Sequence, residues 1–283
     1  MLVTEEGRAM LRNDRIRQVV ITASAVFMII GTLFGIGVIG TRVEESAGGS
    51  LSATATLVAP AVSAFSIWSV IYAGLIAYVV WQWLPANTTT ARARSIGWLA
   101  AASMVLNASW LLVTQVGWLW ASVAVIVALA LVLGELVRRL TALPADADRP
   151  ATTWAERFIV DGTFGLYLGW VSVATVANIT ATLVDSGVNP AAPVSEYLAV
   201  AVLAVAAALG VILAKAFGGR FGVAAAMAWG LGWIAVGRLT DAPASTLTGV
   251  AAAVAAAVIV AAAVAVRLRT SSSVESRAAH ATA

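Results

Sequence analysis

Eight apolar runs of near-uniform length limit what this chain can become. They lie at residues 19–40, 61–83, 96–115, 119–138, 158–183, 196–216, 221–238 and 246–267. At 1.5 Å rise per residue, roughly 20 residues of helix cover the ~30 Å hydrocarbon core of a bilayer. Backbone inside hydrocarbon has to satisfy its own hydrogen bonds, so the choice is helices or a closed barrel. Barrel strands are ~10 residues of alternating polarity, and these runs are twice that and continuously apolar. Only 11% of the 283 residues are charged and 61% are hydrophobic, too little polar surface to clothe a water-soluble body. All seven prolines (60, 85, 144, 150, 190, 193 and 243) fall in the gaps or at a run's edge, where helix interruption costs nothing. The expected fold is an all-α polytopic membrane protein with eight transmembrane helices.

Basic residues orient it. With the N-terminus inside, Arg8, Arg12, Arg15, Arg17, Arg92, Arg94, Arg138, Arg139, Arg149, Arg157, Lys215, Arg220, Arg267, Arg269 and Arg277 face the cytoplasm. Only Arg42 and Arg238 lie outside, a ratio of 15 to 2. Cytoplasmic loops carry the excess of Lys and Arg, so the pattern predicts a multi-pass plasma-membrane protein with both termini cytoplasmic. The same distribution explains the pI near 9.8 without invoking nucleic acid. The loop 41–59 is then external, 141–158 is the longest internal loop, and 270–283 is expected to be a disordered cytoplasmic tail.

Several chemistries are excluded. There is no cysteine, and the single histidine, His280, sits in the polar tail. The spans therefore offer no thiolate or imidazole for metal binding, haem ligation or nucleophilic catalysis. No run has a central ionisable group, which argues against ion-coupled transport. Glu135 can pair with Arg138 and Arg139 at i+3 and i+4, and Asp161 reads either as an interfacial carboxylate near Arg157 or as a buried functional acid. No cofactor or metal is expected. Gly31 and Gly35 form a GxxxG pair, suited to a close helix–helix contact within the chain or in a homodimer.

The polarity that remains inside the spans is aromatic and amide. Trp68 and Tyr72 are four apart on the second span, and Asn107 and Trp110 three apart on the third. On the fifth, Tyr167, Trp170, Ala174 and Asn178 fall within an arc of about 80° at ~100° per residue. Such a stripe suits either the wall of a ligand cavity or hydrogen-bonded packing between helices. Trp81, Trp83, Trp98, Trp118, Trp120 and Trp154 lie at span ends and read as an interfacial belt.

These segments resemble the translocator protein family, also called tryptophan-rich sensory proteins (TspO/MBR). That family has five membrane helices, with W-x-x-x-Y after a proline-rich entry in the second, N-x-x-W in the third and Y-L-x-W-x-x-x-A-x-x-x-N in the fifth. The corresponding residues here are Pro60, Trp68 and Tyr72; Asn107 and Trp110; and Tyr167, Leu168, Trp170, Ala174 and Asn178. The likeness covers roughly residues 18–185 and implies a five-helix TspO-like bundle at 1–185 followed by three additional helices at 186–269. These last helices resemble those of the longer, eight-span members of the family, and their sequence, such as "AVAAAVIVAAAVAV", suits close-packed supporting helices. Where five-span members carry a second proline, a tryptophan and a further proline at the entry to span two, this chain has Ala59, Val62 and Ser66. The resemblance implies a hydrophobic small-molecule ligand, tetrapyrrole or sterol-like, in an intramembrane aromatic cavity lined by Pro60, Trp68, Tyr72, Asn107, Trp110, Tyr167, Trp170, Ala174 and Asn178. The expected role is sensory or regulatory rather than catalytic. The alternative is a transporter of a small hydrophobic or tetrapyrrole solute.

Overall fold

The computed structural model describes residues 5–143, 145 and 154–281, with side chains described for 9–143, 145 and 154–270. Part of the 141–158 loop and the side chain of His280 lie outside the described residues. Among those described, secondary structure is helical and no strand occurs.

Among the described residues, eight helices are long and apolar enough to cross a membrane, the second counted together with the 3-10 turn Val62–Ser66 before it and the fifth with the helical residues from Trp154. They are α1 (Glu5–Gly35), α2 (Ile67–Trp83), α3 (Ala91–Gln115), α4 (Leu119–Ala142), α5 (Thr163–Asp185), α6 (Val194–Ala216), α7 (Phe221–Thr240) and α8 (Thr246–Ala281). Each expected run has its helix. Several start earlier than the apolar run, because polar first turns such as Ala91–Ser95 continue the helix beyond the hydrocarbon. Thr90 caps α3 by accepting from the Ala93 amide. A π-helical turn, Arg157–Gly162, precedes α5. The last helix runs on to Ala281.

The chain divides into two compact units, residues 1–48 with 68–164, and residues 49–67 with 165–283.

In the first unit, α1 packs on α3 and α3 on α4. Gly31 and Gly35 make the first contact close: a Cβ on Gly31 would stand 2.9 Å from the Cα of Ala108, and one on Gly35 would stand 2.6 Å from Leu111 Cδ2. The GxxxG pair thus seats a helix of its own chain. Gln18 and Gln82 exchange side-chain-to-backbone bonds at 2.8 and 3.1 Å, tying α1 to α2. At the arginine-rich end, Asp14 accepts from Arg17 and from Arg94, each at 2.6 Å. Arg92 bridges Glu156 at 2.7 Å and Asp161 at 2.6 Å. Asp161 thus has a partner on α3, and its carboxylate is committed to an ion pair. Glu135 pairs with Arg138 and Arg139 as its spacing requires.

In the second unit, α8 packs on both α6 and α7. The α8 contact face is a stripe of small residues plus one isoleucine: Ala252, Ala255, Ile259 and Ala263 are all buried, at helical spacing. Gly210 of α6 lies so close to Ile259 that a Cβ would meet it at 2.5 Å. Gly165 and Gly169 of α5 sit against residues 222–226 of α7, and Gly230 of α7 sits against Val173. Without a hydrophobic drive between helices in lipid, such small residues let dispersion contacts accumulate.

Candidate functional site

The nine candidate residues divide between the units: Trp68, Tyr72, Asn107 and Trp110 in the first, Pro60, Tyr167, Trp170, Ala174 and Asn178 in the second.

In the first unit, the i, i+4 spacing on α2 stacks Trp68 on Tyr72, with ring centroids 5.2 Å apart and planes 21° from parallel. The Tyr72 hydroxyl donates to Asn107 Oδ1 at 3.1 Å, joining α2 to α3. Asn107 is fully buried, and Trp110, one helical turn further along the same face, is nearly so. Asn107 Nδ2 and Trp110 Nε1 are both buried and have no hydrogen-bond partner among the described residues. A buried donor left unmatched costs about 1–3 kcal/mol, and native proteins carry few of them. Two on one face, beside a stacked indole–phenol pair, form an apolar wall with unused donors.

In the second unit, the α5 stripe is inward-facing. Tyr167, Trp170 and Asn178 are buried, while Ala174 is half-buried. Gly165, Gly169 and Val173 take the contact with α7. At ~100° per residue, Gly165 and Gly169 point roughly opposite to the stripe and Val173 about a quarter turn from it, so the aromatic and amide residues are turned away from the closest contact with α7. Trp170 meets the edge of Phe65 at 5.8 Å and 77°.

Pro60 is buried just before a 3-10 turn, Val62–Ser66, that leads into α2. Two residues of α7 hold this entry. The Trp229 indole donates to the Ala64 carbonyl at 2.9 Å, and the Trp233 carbonyl accepts from the Ala61 amide at 3.2 Å. Their rings meet edge to face at 5.7 Å. Phe65, Trp229 and Trp233 are absent from the sequence-derived set. The W-x-x-x-W spacing on α7 was the available signal, since it puts both indoles on one face. The entry is thus held by the side chain of one α7 tryptophan and the main chain of the other.

The tryptophan belt needs one correction. Trp83, Trp98, Trp118, Trp120 and Trp154 are exposed, as belt residues should be, but Trp81 is only 6% exposed and stacks on Tyr78 at 6.2 Å. It lies two residues inside the end of α2, and its indole turns inward to a ring on the same helix. Arg238, expected at the outer end of the seventh span, is also fully buried; its guanidinium donates to the carbonyls of Thr56 at 3.1 Å and Ala53 at 3.0 Å.

Among the described residues no cluster of His, Cys, Asp and Glu is arranged to hold a metal ion.

A model of the TSPO-like protein family matches residues 18–265. The match runs past residue 185 through the last three helices, further than the motif-based resemblance reaches. No curated protein and no solved structure matches the chain.

Proposed function

We propose a function from one premise: the chain belongs to the TSPO-like protein family. It is an integral membrane protein of sensory or regulatory type that binds a hydrophobic ligand with polar edges, tetrapyrrole or sterol-like, among its aromatic side chains. The observation that carries this reading is the pair of unmatched buried donors, Asn107 Nδ2 and Trp110 Nε1, beside the Trp68–Tyr72 stack. A ligand presenting carboxylate, carbonyl or hydroxyl oxygens would satisfy both donors while its apolar body lies on the rings. Within the second unit, the stripe Tyr167, Trp170, Ala174 and Asn178 on α5 offers the same kind of chemistry, and Pro60 precedes the turn that leads into α2. The 1–185 block carries the ligand-binding residues, and the helices at 186–269 support it. Both termini lie in the cytoplasm and the 41–59 loop lies outside the plasma membrane.

The test is quenching of tryptophan fluorescence by protoporphyrin IX in purified protein, compared across Asn107→Leu, Trp110→Phe, Trp170→Phe and Ala174→Phe. The expectation is normal insertion with affinity reduced ~10-fold or more, the equivalent of ~1.4 kcal/mol. Unchanged affinity in all four well-folded variants would reduce these residues to helix packing. Uptake of protoporphyrin IX into proteoliposomes would instead support transport.

A further inference from the structure

A cavity of about 590 Å³ opens within the second unit, away from the aromatic residues discussed above. Its walls come from residues 54–58, from the end of α5, from the α5–α6 turn and first half of α6, and from the α7–α8 turn. In the proposed topology this is the outer edge of the membrane. The volume lies in the range of small-molecule sites, ~300–1,000 Å³. Leu57, Val58, Leu183, Val184, Leu198 and Val202 make most of the lining apolar.

One charged residue lines it, Glu196 in the first turn of α6. Its Oε1 accepts from the Ser245 hydroxyl at 2.6 Å. Ser245 is itself buried and fixed, because its Oγ accepts from the Thr248 amide and so caps α8. The carboxylate is therefore held by a rigid helix end. Arg238 is not part of the wall; its guanidinium donates to the backbone carbonyls of residues 53 and 56.

An apolar chamber with a single pre-oriented carboxylate selects one kind of guest. We propose that this cavity binds a small hydrophobic amine, its ammonium paired with Glu196 and its hydrocarbon against the leucine and valine walls. A charge-assisted bond to a carboxylate in such surroundings is stronger than in water. A neutral alcohol of the same shape gains only the burial, and a fatty acid meets a like charge. This site is separate from the tetrapyrrole reading and stands or falls without it.

The chain has no cysteine, so a single Asn189→Cys change allows a polarity-sensitive dye to be attached at the cavity rim. Full-length protein in lipid nanodiscs is titrated with octylamine, octanol and octanoate, against the same dye attached at position 118 of α3–α4 as a control for partition into lipid. The expected result is a saturable shift with octylamine, ~10-fold tighter than with octanol or octanoate and absent from the control. Glu196→Gln, which can still accept from Ser245, should abolish the preference, and Glu196→Lys should turn it toward octanoate. Val202→Trp should remove all three responses by filling the chamber. Equal responses to the three head groups, a preference for octanoate in the unaltered protein, or a preference for octylamine that survives Glu196→Gln would each overturn the proposal. So would a response that never saturates.

Discussion

The Tyr72 hydroxyl on α2 donates to Asn107 Oδ1 on α3 at 3.1 Å, and the same asparagine buries an unmatched Nδ2. One amide thus makes one bond to its neighbour and withholds another. Removing the phenolic hydroxyl alone strands the carbonyl oxygen as well. Tyr72→Phe should therefore destabilise by about 1–3 kcal/mol, whereas the double variant Tyr72→Phe/Asn107→Leu should cost less than the sum of the singles. Thermal unfolding of the four proteins measures this; strict additivity would mean that the two residues do not interact.

The GxxxG pair supplies a second test. Gly31 and Gly35 meet Ala108 and Leu111 of the same chain. Gly31→Leu and Gly35→Leu should separate α1 from α3 and lower thermal stability, with overpacking costing about 1–3 kcal/mol. Oligomeric state, read by light scattering, should not change. A dimer that dissociates at unchanged subunit stability would relocate these glycines to an intermolecular seam.

Arg238 is the buried cation of α7, and its bonds close the 53–56 segment onto that helix. Arg238→Met keeps most of the volume but leaves two carbonyls without donors, at about 1–3 kcal/mol each. Faster proteolysis between residues 50 and 58, together with a lower melting temperature, is the expected outcome. Arg238→Lys should lie between, since an ammonium can reach one carbonyl but lacks the planar fork that serves two. Wild-type protease resistance in Arg238→Met would show that the loop is held by other contacts.

Topology can be checked independently of any ligand. Single cysteines replacing Ser46 and His280 in the cysteine-free chain should be labelled from opposite sides of the membrane by an impermeant reagent. Labelling of both from one side is incompatible with eight spans.

Hydropathy determined the eight helices, because the bilayer forbids unsatisfied backbone and so demands ~20 apolar residues for each crossing. Spacing along single helices was equally readable: Trp68 with Tyr72, Glu135 with Arg138 and Arg139, and the inward stripe of α5 all follow from 3.6 residues per turn. Sequence periodicity cannot say which helix a face meets. Spacing places Asp161 near Arg157 on its own helix but cannot show its ion pair with Arg92, 69 residues away. For the same reason Trp81 passed for a belt residue, and Trp229 and Trp233 went unnoticed as the clamp on the entry to α2. The cavity around Glu196 is the extreme case. It gathers residues 54 to 244 from four separate segments, and only tertiary packing brings a serine from one helix end to orient a glutamate on another.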